Sequence, residues 1–162
     1  MRNKKVWLLA FLLCIMLQQA DAKGNKDYFE ATQSATAALA KVARQKALLH
    51  ARNLLATMLD GKIINVSKSY INHQSLTGIS SDEFVSETRA MARMVLEGAE
   101  IADESVVLEK KGDMKNYTVT ITLRLSQAEV LESLCEKLKT DSLALPGFDK
   151  KKFEEEWNKQ KE

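Results

Sequence analysis

The side chains of this sequence that could carry metal or nucleophilic chemistry are two histidines and two cysteines. His50 and His73 have no Cys, Asp or Glu partner at the spacing that metal sites use. The six glycines are scattered singly, so the sequence has neither a Gly-rich phosphate loop nor a nucleophile elbow. The sequence therefore predicts no catalytic, cofactor-binding or metal-ligating residues, and we expect a protein that is not an enzyme.

The two cysteines belong to different parts of the chain. Cys14 lies in an apolar N-terminal segment, and Cys135 follows Leu131 and Leu134 at helical spacing. This spacing predicts that Cys135 is a small buried apolar residue. An intermolecular disulfide in an oxidising compartment is the alternative.

Residues 1–22 have the order of a secretory signal peptide. Basic residues come first, an apolar run follows from Val6 to Leu17, and Ala20-Asp21-Ala22 supplies the small residues of a cleavage site. The apolar run is too short to span a bilayer, which takes about 20 residues. We expect cleavage after Ala22 and a periplasmic or secreted product, with association to the outer membrane left open.

A lipid anchor is not expected, because a lipoprotein signal needs a small residue directly before its cysteine. Here Leu13 precedes Cys14.

The expected mature chain has no net charge. The whole sequence has 24 basic and 22 acidic residues, and the leader accounts for three of the basic residues and one of the acidic residues. Nucleic acid and anionic membrane surfaces are therefore not expected partners, because they call for a clustered positive face.

Periodicity predicts the order of the elements. An alanine-rich stretch from Tyr28 to Leu59 predicts a long helix that ends at Gly61, and "KIINVSKSYINH" predicts a strand. A capping box of Ser80 and Glu83 begins a second helix that runs to Gly98. Two strands follow, from Ala99 to Glu109 and through "YTVTITLRL", joined by the polar loop "KKGDMKN"; Ser126 and Glu129 then begin a third helix.

These elements predict an α+β fold. We expect a small mixed three-stranded sheet, with the long N-terminal helix and a second helix packed on one face, in the order α-β-α-β-β-α plus a C-terminal helix. Residues 23–140 form the single domain in this prediction, and 141–162 form a linker and an amphipathic helix. The core positions that we expect are Ala47, Ala51, Leu55, Val119, Ile121 and Leu123.

Strict alternation in the last strand leaves one side of the sheet for solvent or a partner. We therefore predict partner contacts at Thr118, Thr120, Thr122 and Arg124. Phe153 and Trp157, four residues apart on the last helix, either dock on their own domain or engage another protein.

The pattern Ala43-x3-Ala47-x3-Ala51-Arg52-x2-Leu55-Ala56, followed by "LEGAEI" and "YTVTITLRL", resembles the LPP-twenty lipoprotein family of bacteria. It is also similar to the related N-terminal domain of flagellar assembly protein T, over roughly residues 40 to 135. The resemblance implies an envelope-associated α/β module without known enzymatic activity. The chain departs from the family at the lipid-attachment signal, where Leu13 stands.

We therefore expect an exported bacterial cell-envelope protein that acts as a non-enzymatic interaction or assembly module. Its partners would be envelope proteins or further copies of itself. The alternative is a periplasmic carrier of a small ligand, with a pocket between the long helix and the sheet.

Mass spectrometry of the mature N-terminus tests the leader prediction. We expect a chain that begins at Lys23, because the small residues of the cleavage site end at Ala22. An acylated Cys14 at the N-terminus would contradict it.

Overall fold

The structure is a computed structural model, and it describes residues 27–74, 78–112, 114–140 and 147–160. The predicted signal peptide, its cleavage site and Cys14 lie outside the described residues. So do Asp113 of the predicted hairpin loop and residues 141–146 of the predicted linker.

The described chain has three strands and four helices. Strand β1 (Tyr28–Ala37) leads into the long helix α1 (Ala40–His73), and α2 (Ser81–Val95) follows, with a 3-10 turn at Leu96–Gly98. Strands β2 (Glu100–Lys111) and β3 (Met114–Ser126) form a hairpin. Helices α3 (Gln127–Thr140) and α4 (Lys150–Lys159) complete the fold. None of the described helices, α1 included, has a stretch apolar enough to cross a bilayer.

The predicted α+β class and the three-stranded sheet are confirmed, but the sheet is antiparallel and not mixed. Its strand order is β1-β3-β2, and β3 pairs antiparallel with both neighbours. The prediction of a mixed sheet depends on a strand between the first two helices, since a helix between two strands permits a parallel connection. The true first strand instead precedes α1, and it runs antiparallel to β3 from Tyr28↔Ser126 to Ala37↔Tyr117.

The predicted start of the long helix at Tyr28 is wrong, since residues 28–37 form β1. Alanine and the absence of glycine and proline favoured a helix there. However, the stretch also alternates, with Phe29 and Ala31 buried on one side and Thr32 and Ser34 facing the other way. Pairing with β3 outweighs the helix propensity of the alanines, because propensity is a weak preference that tertiary contacts override.

The predicted strand at "KIINVSKSYINH" is also wrong, because α1 continues through Gly61 to His73. Its β-branched residues favoured a strand, yet Ile63, Val66 and Tyr70 are buried at helical spacing. A glycine inside a helix costs about 0.5–1 kcal/mol relative to alanine. Burial of three large side chains beyond Gly61 outweighs that cost, since each contributes about 1.5–3 kcal/mol.

The core lies between α1 and the sheet. All six predicted core positions are almost completely buried, with 0–1% of their surface exposed. The first half of α1 meets the sheet through Ala43, Ala47 and Ala51, and the second half buries Leu55 and Leu59. Leu54 and Met58 are more than a third exposed, because the buried stripe of α1 passes through Leu55 and Leu59.

Helix α2 begins as the sequence predicts. Ser80 Oγ accepts a hydrogen bond from the Glu83 amide, and the Glu83 carboxylate accepts one from the Ser80 amide.

Ion pairs with Asp60 attach α2 to α1. Oδ2 of Asp60 lies 2.9 Å from Nη2 of both Arg89 and Arg93. Burial raises the pKa of Asp60, but the hydrogen bonds from the two arginines outweigh burial and lower it.

Helix α4 docks on the far half of α1 through aromatic side chains. Tyr70 lies between the rings of Phe84, Phe148 and Phe153, with centroid distances of 5.4–5.7 Å. Phe148 and Phe153, with ring centroids 5.7 Å apart, form a hydrophobic staple around the Asp149 cap. Tyr70 Oη accepts a hydrogen bond from the Asp149 amide at 2.8 Å, so the cap is attached to α1 as well.

Replacing Ala47 with leucine should destabilise the protein by about 1–3 kcal/mol, because the larger side chain overpacks a fully buried helix–sheet contact. Thermal unfolding followed by circular dichroism measures the change. Gln45→Leu is the matched control, since Gln45 lies on the exposed side of the same helix and should leave the midpoint nearly unchanged. An equal effect of both replacements would contradict the packing described.

Candidate functional site

The sheet face opposite α1 carries two facing rows of hydroxyl groups. Thr32, Ser34 and Thr36 of β1 stand directly across from Thr122, Thr120 and Thr118 of β3. We call these six residues the hydroxyl ladder. Thr118, Thr120 and Thr122, predicted from the sequence as partner contacts, are thus brought together on one surface and remain half-exposed.

Each rung of the ladder is a hydrogen bond between two side chains. The oxygen–oxygen distances are 2.7 Å for Thr32–Thr122, 2.7 Å for Ser34–Thr120 and 2.8 Å for Thr36–Thr118. These lengths are typical of good O–H···O bonds. Because a hydroxyl has one donor and two acceptor positions, each rung still offers one donor and several acceptors to a ligand.

The ladder has a fixed spacing. Successive rungs are two residues apart, which is about 6.8 Å along a strand, and the two rows are about 4.8 Å apart. Threonine is β-branched and has few side-chain rotamers, and the rung bonds restrict rotation further. A partner that binds this face therefore meets polar groups that are already ordered, which reduces the entropic cost of binding.

Arg124 closes one end of the ladder. Its Nε donates to Glu100 Oε1 at 2.6 Å, and its guanidinium lies 5.2 Å from the centre of the Tyr28 ring. The hydrogen bond to Glu100 and the attraction of its charge raise the pKa of Arg124. Arg124 and Glu100 therefore form an ion pair without net charge beside one end of the hydroxyl ladder.

The β1 half of the ladder was missed in the sequence analysis, because residues 28–37 were assigned to a helix. The signal was present in the alternation of Thr32, Ser34 and Thr36 with Gln33 and Ala35. The hydroxyl residues of β1 lie opposite the threonines of "YTVTITLRL" position by position.

Phe153 and Trp157 lie elsewhere. Both are fully buried in the domain, where Phe153 contacts Tyr70 and Trp157 meets the Phe29 ring edge-on at 6.2 Å. The structure thus has α4 docked on its own domain, and neither ring is available to another protein in this arrangement.

Cys135, the cysteine of the described chain, is buried. Burial raises the pKa of the Cys135 thiol to about 11, so the thiolate that would act as a nucleophile is disfavoured. His50 is exposed on α1, and no three His, Cys, Asp or Glu side chains of the described chain lie close enough to hold a metal ion.

A buried carboxylate, Glu156, joins α4 to the end of α1. It accepts hydrogen bonds of 2.6 Å from Ser69 Oγ and from Lys159 Nζ, and His73 Nδ1 lies 3.5 Å away. The hydrogen bonds from Lys159 and Ser69 lower the pKa of Glu156 in spite of its burial. These contacts attach α4 to α1.

The space between α1 and the sheet is filled by side chains, among them Leu55, Ile121 and Leu123. A pocket of about 100 Å³ lies at the other side of α1, between Arg52, Arg93, Leu96 and Glu97. Ligand pockets usually enclose about 300–1,000 Å³. The buried side chains Leu55, Ile121 and Leu123 thus occupy the place where the carrier hypothesis expects its pocket.

The similarity of this chain to known proteins is low. No family model matches the sequence, and no curated protein matches it. Among solved structures, the chain is similar to a secreted protein from the human pathogen Helicobacter pylori, HP1454, with 18% identity and a TM-score of 0.31. The match covers 68% of this chain and 35% of the other, so the chain spans about a third of that protein's length.

Glu156 predicts a pH dependence of stability. Its pKa in the folded protein lies below the unfolded value of 4.5, so its stabilisation is complete above that pH and is lost as the pH falls through the folded value. We expect Glu156→Gln to lower the thermal midpoint at neutral pH and to differ little from wild type in acid.

Trp157 provides the readout, because it is the only tryptophan once the leader with Trp7 is removed. Its fluorescence should report loss of α4 docking. Glu155→Gln is the control, since Glu155 is an exposed neighbour of the same charge. A pH-independent difference between Glu156→Gln and wild type would contradict the assignment.

Proposed function

We propose that this protein is an exported, non-enzymatic interaction module of the bacterial cell envelope, and that the hydroxyl ladder is the surface that binds its protein partner. The observation that carries the proposal is the ladder itself. It is an ordered polar surface on the open face of the sheet, and none of the described elements packs over it.

The chemistry of the ladder suits a protein interface. Interface centres are poor in charged residues, because removing an ion from water costs far more than removing a hydroxyl. The ladder presents neutral donors and acceptors in its centre and charged groups at its end, where Arg124 pairs with Glu100. A partner that offers backbone or side-chain amides at strand spacing could satisfy the free hydroxyl positions.

The export part of the proposal is supported by the composition of residues 1–22 and by the LPP-twenty resemblance described from the sequence. An assembly role in the envelope, and any association with the outer membrane, belong to the same proposal.

Site-specific photo-crosslinking in the cells that make the protein tests this function. A photoreactive residue in place of Thr120, at the centre of the ladder, should give one discrete adduct in the envelope fraction. The matched control is the same residue in place of Thr57, a threonine exposed on α1. Equal adducts at both positions, no adduct at Thr120, or a product retained in the cytoplasm with its leader would each contradict the proposal.

A further inference from the structure

Strand β2 is a long, exposed edge of the sheet. It has 12 residues, and β3 is the one strand it pairs with in the described chain. Edge strands carry a row of unpaired backbone N–H and C=O groups, and proteins usually protect them by shortness, charge, proline or a covering element. On β2, Val106, Val107 and Leu108 are instead consecutive apolar residues with 54%, 55% and 44% of their surface exposed.

Val106 and Leu108 continue the core at its open border, whereas Val107 lies on the other side of the sheet, beside Thr118 of the hydroxyl ladder. The register places Val106 beside the buried Val119, and Leu108 beside Tyr117, on the side of the sheet that α1 covers. Helix α1 packs on β1 and β3, and it reaches β2 through the 2.8 Å pair between Arg44 and Glu104. An apolar strip of β2 is therefore left without a covering element among the described residues.

Two opposite charges on the α1 side of β2 lie symmetrically about Val107. On the α1 side, Glu104 lies three residues before Val107 and Lys110 lies three residues after it. If a second β2 runs antiparallel and Val107 faces its own copy, Glu104 stands opposite Lys110 twice. Opposite charges that face each other across a strand pair stabilise it by about 0.2–1 kcal/mol each.

We propose that two copies of this chain associate through β2, with the strands antiparallel and Val107 on the two-fold axis. In this register Val106 faces Leu108, Ser105 faces Glu109, and Glu104 faces Lys110, each pair occurring twice. The dimer has a continuous sheet in the order β1-β3-β2-β2-β3-β1. Because the axis is perpendicular to the sheet, both hydroxyl ladders lie on the same face.

Neighbouring registers are less favourable. A shift of the pairing by one step toward the N-terminus places Asp103 opposite Glu109 and Glu104 opposite Leu108. The opposite shift places Val106 opposite Lys110. Both shifts set a charge against an apolar side chain, and the first also sets two carboxylates against each other, which destabilises strand pairs.

Two local features of β2 agree with the proposed register. Lys110 stands directly opposite Lys115 of β3, and no ion pair between described residues includes either lysine. The second copy's Glu104 would neutralise this like-charge pair. At the other end, the irregularity between Ile101 and Asp103 interrupts the regular strand where the new ladder would stop.

Sedimentation of the chain from Lys23 onward, which contains every described core residue, tests the association. We expect twice the monomer mass for wild type. Val107→Lys should give the monomer, because two ammonium groups would meet on the axis. Leu49→Lys, an equally exposed apolar position on α1, should remain dimeric. A monomeric wild type, or a Val107→Lys variant that stays dimeric, would overturn the proposal.

Cysteine pairing tests the register. Directly opposite residues are about 4.5–5.5 Å apart at Cα, within disulfide range, so Val107→Cys should oxidise to a covalent dimer. Ser105→Cys alone should not, since two copies of that position are about 14 Å apart. A mixture of Ser105→Cys with Glu109→Cys should form the covalent heterodimer. The parent chain, whose Cys135 is buried, controls for background. Absence of the Val107→Cys dimer, or free pairing of Ser105→Cys with itself, would show a different register or no β2 contact.

Discussion

Close contact between α1 and the sheet is the constraint on which the rest of the structure depends. Ala43, Ala47 and Ala51 have no exposed surface, and their small side chains let the helix axis approach β1 and β3 closely. Larger residues at these positions would separate helix from sheet and uncover Val119 and Ile121. These three alanines therefore determine which side of the sheet α1 covers, and the side with the hydroxyl ladder stays open to other contacts.

The second half of α1 serves a different purpose. Beyond Leu55 the buried side chains become large, and Tyr70 at the far end is surrounded by Phe84, Phe148 and Phe153. One continuous helix thus joins two apolar regions: a thin one under the sheet and a thick one shared with α2 and α4. Since α4 contributes Phe153 and Trp157 to the buried set, the C-terminal helix is part of the domain core.

The sheet has two surfaces of different character for association. The hydroxyl ladder is neutral, ordered and hydrogen-bonded within itself, whereas the free edge of β2 is apolar in its centre and charged toward its ends. A face of side chains and an edge of backbone groups do not compete for the same partner. Association through β2 would place two ladders on one larger surface, which would increase the avidity for a repeated partner.

Local patterns were sufficient for much of this fold. The strict alternation of β3 identified its buried and open sides, the Ser80–Glu83 pair marked the start of α2, and the core residues of α1 and β3 followed from their spacing. These features depend on neighbours within a few residues. Only the tertiary structure decided that Tyr28–Ala37 is a strand and that α1 continues through Gly61 to His73, because both depend on distant partners: β3 for the first, and the aromatic side chains of α2 and α4 for the second. Residue types alone favoured the opposite assignment in each case. The tertiary contacts prevail because intrinsic propensities contribute much less free energy than the burial of a strand or of a helix face.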